Sequence, residues 1–225
     1  MNSLSITLDI RIMKHSPFMP SFEQLPDTLP VFPLPNAIVM PGSNLPLNIF
    51  EPRYLNMCQD AMKSHQLIGM IQPRDNKDKP SLFPTGCAGR ITRYLETHDG
   101  RLEINLSGIC RFNIIEELST TRGYRLIRPD WQAFESDFQT PEVAIQDINY
   151  FTNTLRHYFE HKGMQADWEA LEKLEAETLV NSMVTILPLT MEEKQVLLEA
   201  ANLPERLQTF SALLESEFKD SSEKH

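Results

Sequence analysis

Residues 89–115 read GRITRYLETHDGRLEINLSGICRFNII, and their periodicity decides the architecture. Asp99-Gly100 is a turn dipeptide between two runs rich in β-branched and aromatic residues, which reads as a β-hairpin. After the turn, Leu102, Ile104, Leu106, Cys110, Phe112 and Ile114 share one parity, and Arg101, Glu103, Asn105, Arg111 and Asn113 take the other. Side chains alternate across a strand, so the first set is expected in a core and the second in water. Gly108 falls on the inward parity, where a missing side chain lets a strand bend or another backbone approach, as the corner of a small barrel requires. A strict two-residue turn would oppose Glu96 to Glu103, a like-charge pair that a longer loop avoids.

Upstream, LIGMIQ (67–72) is a short apolar run expected as a buried strand, followed by the polar loop PRDNKDKP (73–80). Before it, EPRYLNMCQDAMKSH (51–65) places Pro52 where a first helical turn tolerates it and sets Leu55, Cys58 and Met62 on one face, so one amphipathic helix is expected. From Pro26 to Pro52 the recurring prolines forbid a long helix and predict short extended segments. Downstream, YRLIRPDWQAF (124–134) predicts one more strand, with Pro129 marking an edge or a bulge.

The character changes near residue 139. Four helical stretches follow: AIQDINYFTNTLRHYFEH, DWEALEKLEAETLVNSMVTIL, MEEKQVLLEA and LPERLQTFSALLESEF. Thr190 with Glu193 forms a capping box, and Pro188 ends the helix before it. Short connections pack such helices as antiparallel neighbours. The expected class is α+β: a β-barrel subdomain with one helix over 22–138, then a four-helix bundle with a short acidic tail over 139–225. Residues 1–21 are expected to be a flexible extension. Met1, Met13 and Met19 are all possible starts, and Asp9 and Arg11 interrupt the apolar opening, so neither a signal peptide nor a membrane span is expected.

The net charge of −10, from 31 acidic against 21 basic residues, weakens the case for nonspecific binding to a phosphate backbone. Cys58, Cys87 and Cys110 form no C-x-x-C pair, which fits a reducing cytoplasm and no disulfide framework. No glycine-rich phosphate loop, dinucleotide fingerprint or G-x-S-x-G elbow occurs. No cofactor and no catalytic residue is expected. His157-Tyr-Phe-Glu-His161 has the H-x-x-E-H spacing of inverted zinc peptidases. On a helical wheel, however, Ile148, Phe151, Leu155, Tyr158 and Phe159 form the core stripe and put His157, Glu160 and His161 toward water, where a zinc site lacks a third ligand. No metal is therefore expected.

LPVFPLPNAIVMPGSNLPLNIFEPRYLNM (29–57) closely resembles the start of the Lon protease N-terminal domain, with IFEPRY as its most specific piece. GCAGRITRYLETHDGRLEINLSGICRFNI (86–114) and ILPLTMEEKQVLLEAANLPERLQTF (186–210) resemble that domain's central hairpin and helical end. The resemblance implies a PUA-like barrel and a non-enzymatic substrate-recognition module. Because the sequence ends at His225 without the ATPase and peptidase parts of a full Lon protease, it further implies a free-standing domain. The partners implied are unfolded or partner protein segments, with a role as a proteolysis adaptor and a Lon-type protease as one partner.

Leu34, Ile38, Met40, Pro41, Phe50, Arg53 and Tyr54 are the candidate peptide-binding residues, because aromatic, Met and Arg side chains offer large, adaptable contact area. The competing role of Pro52, Arg53 and Tyr54 is to start and pack a helix. RNA binding is the second functional reading, since Arg90, Arg93, Arg101, Arg122, Arg125 and Arg128 crowd the strands. Interspersed Glu96, Glu103 and Asp130 make them read as mixed surface charge instead. Zinc hydrolysis through HYFEH is the third.

Overall fold

The computed structural model describes residues 18–222, with side chains through Phe218. The strands are β1 (Leu29–Pro33), β2 (Asn44–Ile49), β3 (Leu67–Ile71), β4 (Thr85–Glu96), β5 (Leu102–Leu118) and β6 (Arg125–Asp130). The helices are α1 (Pro52–Met62), α2 (Ile145–Lys162), α3 (Trp168–Glu172), α4 (Ala176–Ile186), α5 (Met191–Glu199) and α6 (Leu203–Ser222). Short 3-10 helices cover Phe22–Gln24 and Gln132–Phe138.

The hairpin of β4 and β5 organises the first half. Glu96 pairs with Leu102 and Leu95 with Glu103, so residues 97–101 form the loop and no glutamate faces another. At 17 residues, β5 is long enough to serve two further strands: its first part pairs with β2 and its last part with β6. β6 pairs antiparallel with β1, β1 parallel with β3, and β3 antiparallel with β4. Five strands thereby close on themselves and β2 extends the ring alongside β5. Closure removes most of the unpaired sheet edge.

The barrel interior is filled by Leu29 and Val31 of β1, Leu67 and Ile71 of β3, Ala88 of β4, Cys110 and Phe112 of β5, and Ile127 of β6. Ile68 and Met70 of β3 point the other way, into a larger core shared with α1 and the helical half. Burial on both faces explains why the β3 sequence is apolar at nearly every position. Pro129 lies beside a register shift between Ile114 and Glu116, the bulge its missing donor predicts.

A second register shift, between Ala88 and Gly89, corrects the alternation read from the sequence. Ala88 faces Cys110 and Gly89 faces Gly108, so Ile109 is the extra residue of a bulge and parity changes there. Residues 106–112 are consequently all buried, and Arg111, expected in water, is 1% exposed. Gly108 makes the close approach expected of it. Its N–H donates to Ser43 O at 2.9 Å, its carbonyl accepts from Gly42 N at 3.0 Å, and a Cβ there would lie 2.0 Å from Met40 O.

In the second half, Phe151, Leu155, Tyr158 and Phe159 form the buried stripe of α2, and Phe151 meets Phe210 of α6 with ring centroids 5.2 Å apart. Gly163 ends α2 in the left-handed region at φ 64°, and the Thr190–Glu193 capping box opens α5. The second expected helix is broken into α3 and α4, so five helices follow residue 139 among the described residues. The break at Lys173–Glu175 contains neither Gly nor Pro, so no local residue signals it. Of the expected extension, Met19 packs against the barrel core, and just after it Phe22 meets Phe138 edge to face at 5.6 Å. Its first 17 residues lie outside those described.

The two halves join through a buried polar seam. The Arg111 guanidinium donates to Asp137 at 2.8 and 3.1 Å and to the carbonyls of Leu198 and Ala200 at 3.0 and 2.5 Å. Asn181 donates to Pro41 O at 2.8 Å, Lys194 to Asn36 O at 3.1 Å, and Gln195 to Thr85 O at 3.2 Å. Arg206 donates to Leu197 O and Asn181 Oδ1 at 2.9 and 3.0 Å, and burial lowers its pKa to about 10. Backbone groups that the prolines keep out of a sheet ladder are thus satisfied by side chains of the helical half.

Candidate functional site

That seam decides where the candidate residues lie. Ile38 and Met40 are 1% and 0% exposed and Pro41 is also buried, so these three present no surface for docking. The correction has a physical cause: the proline-rich segment is roofed by α4 and α5, contacts of long sequence separation that a local reading cannot supply. Phe50 is 63% exposed, but it lies under Arg101 at the hairpin loop, 5.9 Å from guanidinium carbon to ring centroid. Leu34 is half-buried between Pro33 and Pro35.

Arg53 and Tyr54 do reach a shared concavity. A cleft of about 720 Å³ opens between the first turn of α1, the loop 73–80 and the β5–β6 connection 118–125. Pro33, Pro35, Pro73, Pro80, Leu118 and Tyr124 supply its apolar walls. Pro52 starts α1 at the rim, as its fixed φ favours. Tyr54, 6% exposed, stacks on Phe32 with centroids 4.1 Å apart and carries the Arg53 guanidinium 4.6 Å from its own centroid. Arg53 also pairs with Glu51 at 2.8 Å. The helix-packing role and the cleft-lining role of these two residues therefore coexist.

Polar ties hold the cleft's sides in place. Gly123, at φ 85°, approaches so closely that a Cβ there would sit 3.3 Å from Arg53 Cβ. Arg122 and the Tyr124 hydroxyl donate to Asp60 of α1 at 2.9 and 3.0 Å. Arg125 donates to Pro80 O at 2.6 Å and pairs with Glu117, joining the 73–80 loop to β5 and β6. Within that loop Asp75 accepts from the Ser81 hydroxyl at 2.8 Å and from Lys77, and these bonds, led by Ser81, lower its pKa to about 2. A depressed carboxylate keeps its tether above its ordinary range and loses it only as pH falls toward about 2. The loop is thus anchored at neutral pH. Burial, with the Asp60 bond second, raises the Tyr124 pKa, so this phenol stays a neutral donor.

The cleft offers rigid prolines, two tyrosines and one leucine among charges of both signs: Arg53, Lys77, Lys79 and Arg125 against Asp75, Asp78 and Glu117. Such a surface can hold the side chains of an extended polypeptide while its polar groups stay hydrated. The sequence reading missed the contributions of 73–80 and 118–125. Both look like solvated loops, and the available signal was their proline content and the Gly123 turn.

The competing chemistries find less support. Arg93, Arg101, Arg122, Arg125 and Arg128 each pair with a carboxylate: Glu103, Asp99, Asp60, Glu117 and Glu116 respectively. Arg90 donates to Gln66 at 2.7 Å. Arginines already neutralised in this way make a poor phosphate track. His157, Glu160 and His161 are exposed on α2, and the His161 ring rests edge-on against Phe218 at 5.7 Å. Among the described residues no group of three or more His, Cys, Asp and Glu is placed to hold a metal ion. Cys58 is wholly buried and its pKa is pushed up to about 12, which marks a core thiol and not a nucleophile. Among the described residues no helix is long and apolar enough to cross a membrane.

The family model of the ATP-dependent protease La (LON) substrate-binding domain matches residues 28–216. The chain is 26% identical over 200 residues to Lon protease 2 of Myxococcus xanthus, covering 85% of this chain and 24% of that protein. It is 28% identical over 201 residues to the Lon protease of Flavobacterium johnsoniae, covering 82% and 23%. The chain therefore spans about a quarter of the length of these relatives. Among solved structures, the Lon N-terminal domain protein from Xanthomonas campestris aligns with a TM-score of 0.59 at 21% identity, covering 82% of this chain and 97% of the other. The N-terminal domain of a Mycobacterium avium complex Lon protease aligns with a TM-score of 0.62 at 17% identity, covering 84% and 98%. At these identities the likeness is one of fold.

Proposed function

This chain belongs to the Lon substrate-binding domain family, and from that premise we propose that it is a non-catalytic recognition module whose cleft beside α1 holds unfolded protein segments. The observation that carries this reading is the meeting of Arg53 and Tyr54, from the IFEPRY stretch, with the apolar walls of a cleft whose three sides are held together by hydrogen bonds. A preformed cleft lowers the ordering cost of binding a flexible ligand, which must itself lose conformational freedom. Single contacts are worth roughly 1–2 kcal/mol here, so the expected affinity for one segment is micromolar, strengthened by tethering or by several segments on one client. The biological role that fits is delivery of such clients to a Lon-type protease, as an adaptor.

Leu118→Asp puts a charge on an apolar wall. It should weaken binding of a permanently unfolded, carboxymethylated protein by about 5- to 30-fold in fluorescence anisotropy. Val196→Asp, at an exposed position outside the cleft, should change it less than about 2-fold. Equal loss in both variants, or in neither while both remain folded, would show that the cleft does not hold the unfolded chain.

A further inference from the structure

A second concavity is lined entirely by the helical half. The first turns of α2 and one face of α6 enclose a groove of about 590 Å³. Its α6 wall runs through Pro204, Leu207, Gln208, Ser211, Ala212 and Glu215, spacings of three and four residues that place them on one helix face. Small Ser211 and Ala212 in the middle of that wall leave room for close approach of another backbone. Tyr150 forms the facing wall at 57% exposure. Pro204, Ala212 and the Tyr150 ring are the exposed apolar surface of the groove, and a partner's apolar side chains would cover them together.

Charge selects the partner. Asp147, Glu205 and Glu215 line the groove and no Lys or Arg does. Residues 139–225 carry 16 acidic against 7 basic residues, while residues 1–138 carry 15 against 14, so nearly all of the net negative charge belongs to this half. Glu205 and Glu215 are held in place, the first accepting from Ala201 N at 2.9 Å and the second from the Tyr150 hydroxyl. A groove between two packed helices accepts a third helix, ridge into groove, and offers no open strand edge to an extended chain.

We propose that this α2–α6 groove docks a basic amphipathic helix of a partner protein. Apolar side chains of the partner, at helical spacing, lie over Pro204, Ala212 and Tyr150. Its flanking Lys or Arg side chains meet Asp147, Glu205 and Glu215. The site is separate from the α1 cleft and its occupancy does not depend on that reading.

The test uses the full chain and three labelled peptides: a Leu/Lys peptide patterned as an amphipathic helix, the same composition scrambled to destroy the helical face, and a Leu/Glu peptide with the first pattern. The patterned Leu/Lys peptide should bind, with affinity falling about 10-fold or more as salt rises from low to high, since exposed charges are screened. The other two should bind at least about 10-fold more weakly. Ala212→Lys, at an exposed position and therefore compatible with folding, should reduce binding about 10-fold or more, whereas Leu118→Asp in the cleft should leave it unchanged. Equal binding of the scrambled peptide, no effect of Ala212→Lys, or loss of binding in Leu118→Asp would each overturn the proposal.

Discussion

Met40→Glu should abolish cooperative folding. Met40 is wholly buried in the larger core, its backbone N–H and carbonyl are both bound by the Ser43 hydroxyl at 2.8 and 2.9 Å, and its carbonyl lies against Gly108. An ionised carboxylate placed there would lose its hydration with no cation arranged to receive it. The cost is several kcal/mol, comparable with the roughly 5–15 kcal/mol by which a domain is stable. Urea titration followed by circular dichroism should show no native baseline at room temperature. Met40→Leu, which conserves shape and polarity, should cost less than about 1.5 kcal/mol. A folded Met40→Glu protein that had lost only client binding would restore the proline-rich segment as a docking groove.

Arg111→Met should be nearly as damaging, for a different reason. The substitution keeps much of the side chain's volume but leaves the Asp137 carboxylate buried without its cation and the carbonyls of Leu198 and Ala200 without a donor. Side-chain exposures of 2% and 6% mean that solvent does not screen this pair. Breaking such a pair from one side costs about 3–5 kcal/mol. At roughly 2–4 °C per kcal/mol for a protein of this size, Tm should fall by about 10 °C or more. Removing both charges in Arg111→Met/Asp137→Leu should recover part of the loss, because most of the penalty is the orphaned carboxylate. A single variant within about 1 °C of the parent would show that the seam does not hold the two halves together.

Both expectations concern residues whose surroundings the sequence conceals, and the reason is physical. The hairpin, the Pro52 helix start, the Thr190–Glu193 capping box and the buried stripe of α2 are set by residues close in sequence, so their patterns are legible. Alternation along β5 places Cys110 and Phe112 in a core, as they are, but the inserted Ile109 moves them to the barrel interior and buries Arg111 on the other parity. The burial of Arg111 and Met40 depends on α4, α5 and the loop after α5 folding back over the barrel, through contacts such as Gln72 with Met191 and Lys194 with Asn36, 119 and 158 positions apart. Apolar content at Ile38, Val39 and Met40 fits a core and a groove equally well, and only the long-range cover distinguishes them. Arg53 and Tyr54 reach the cleft from the first turn of α1, a placement their sequence neighbours fix locally. The remaining walls of the cleft come from polar loops that have no periodic signature.

We propose the cleft beside α1 as the surface that holds unfolded protein. Amide hydrogen exchange of the full chain, with and without a saturating permanently unfolded protein, tests it most directly, because it locates the contact without altering a residue. Slowed exchange is expected at Leu34, across Arg74–Lys79 and across Ser119–Arg125, with the hairpin loop at 97–101 unchanged. Protection confined to that hairpin loop or to the helical half, with the three cleft segments exchanging as before, would contradict it.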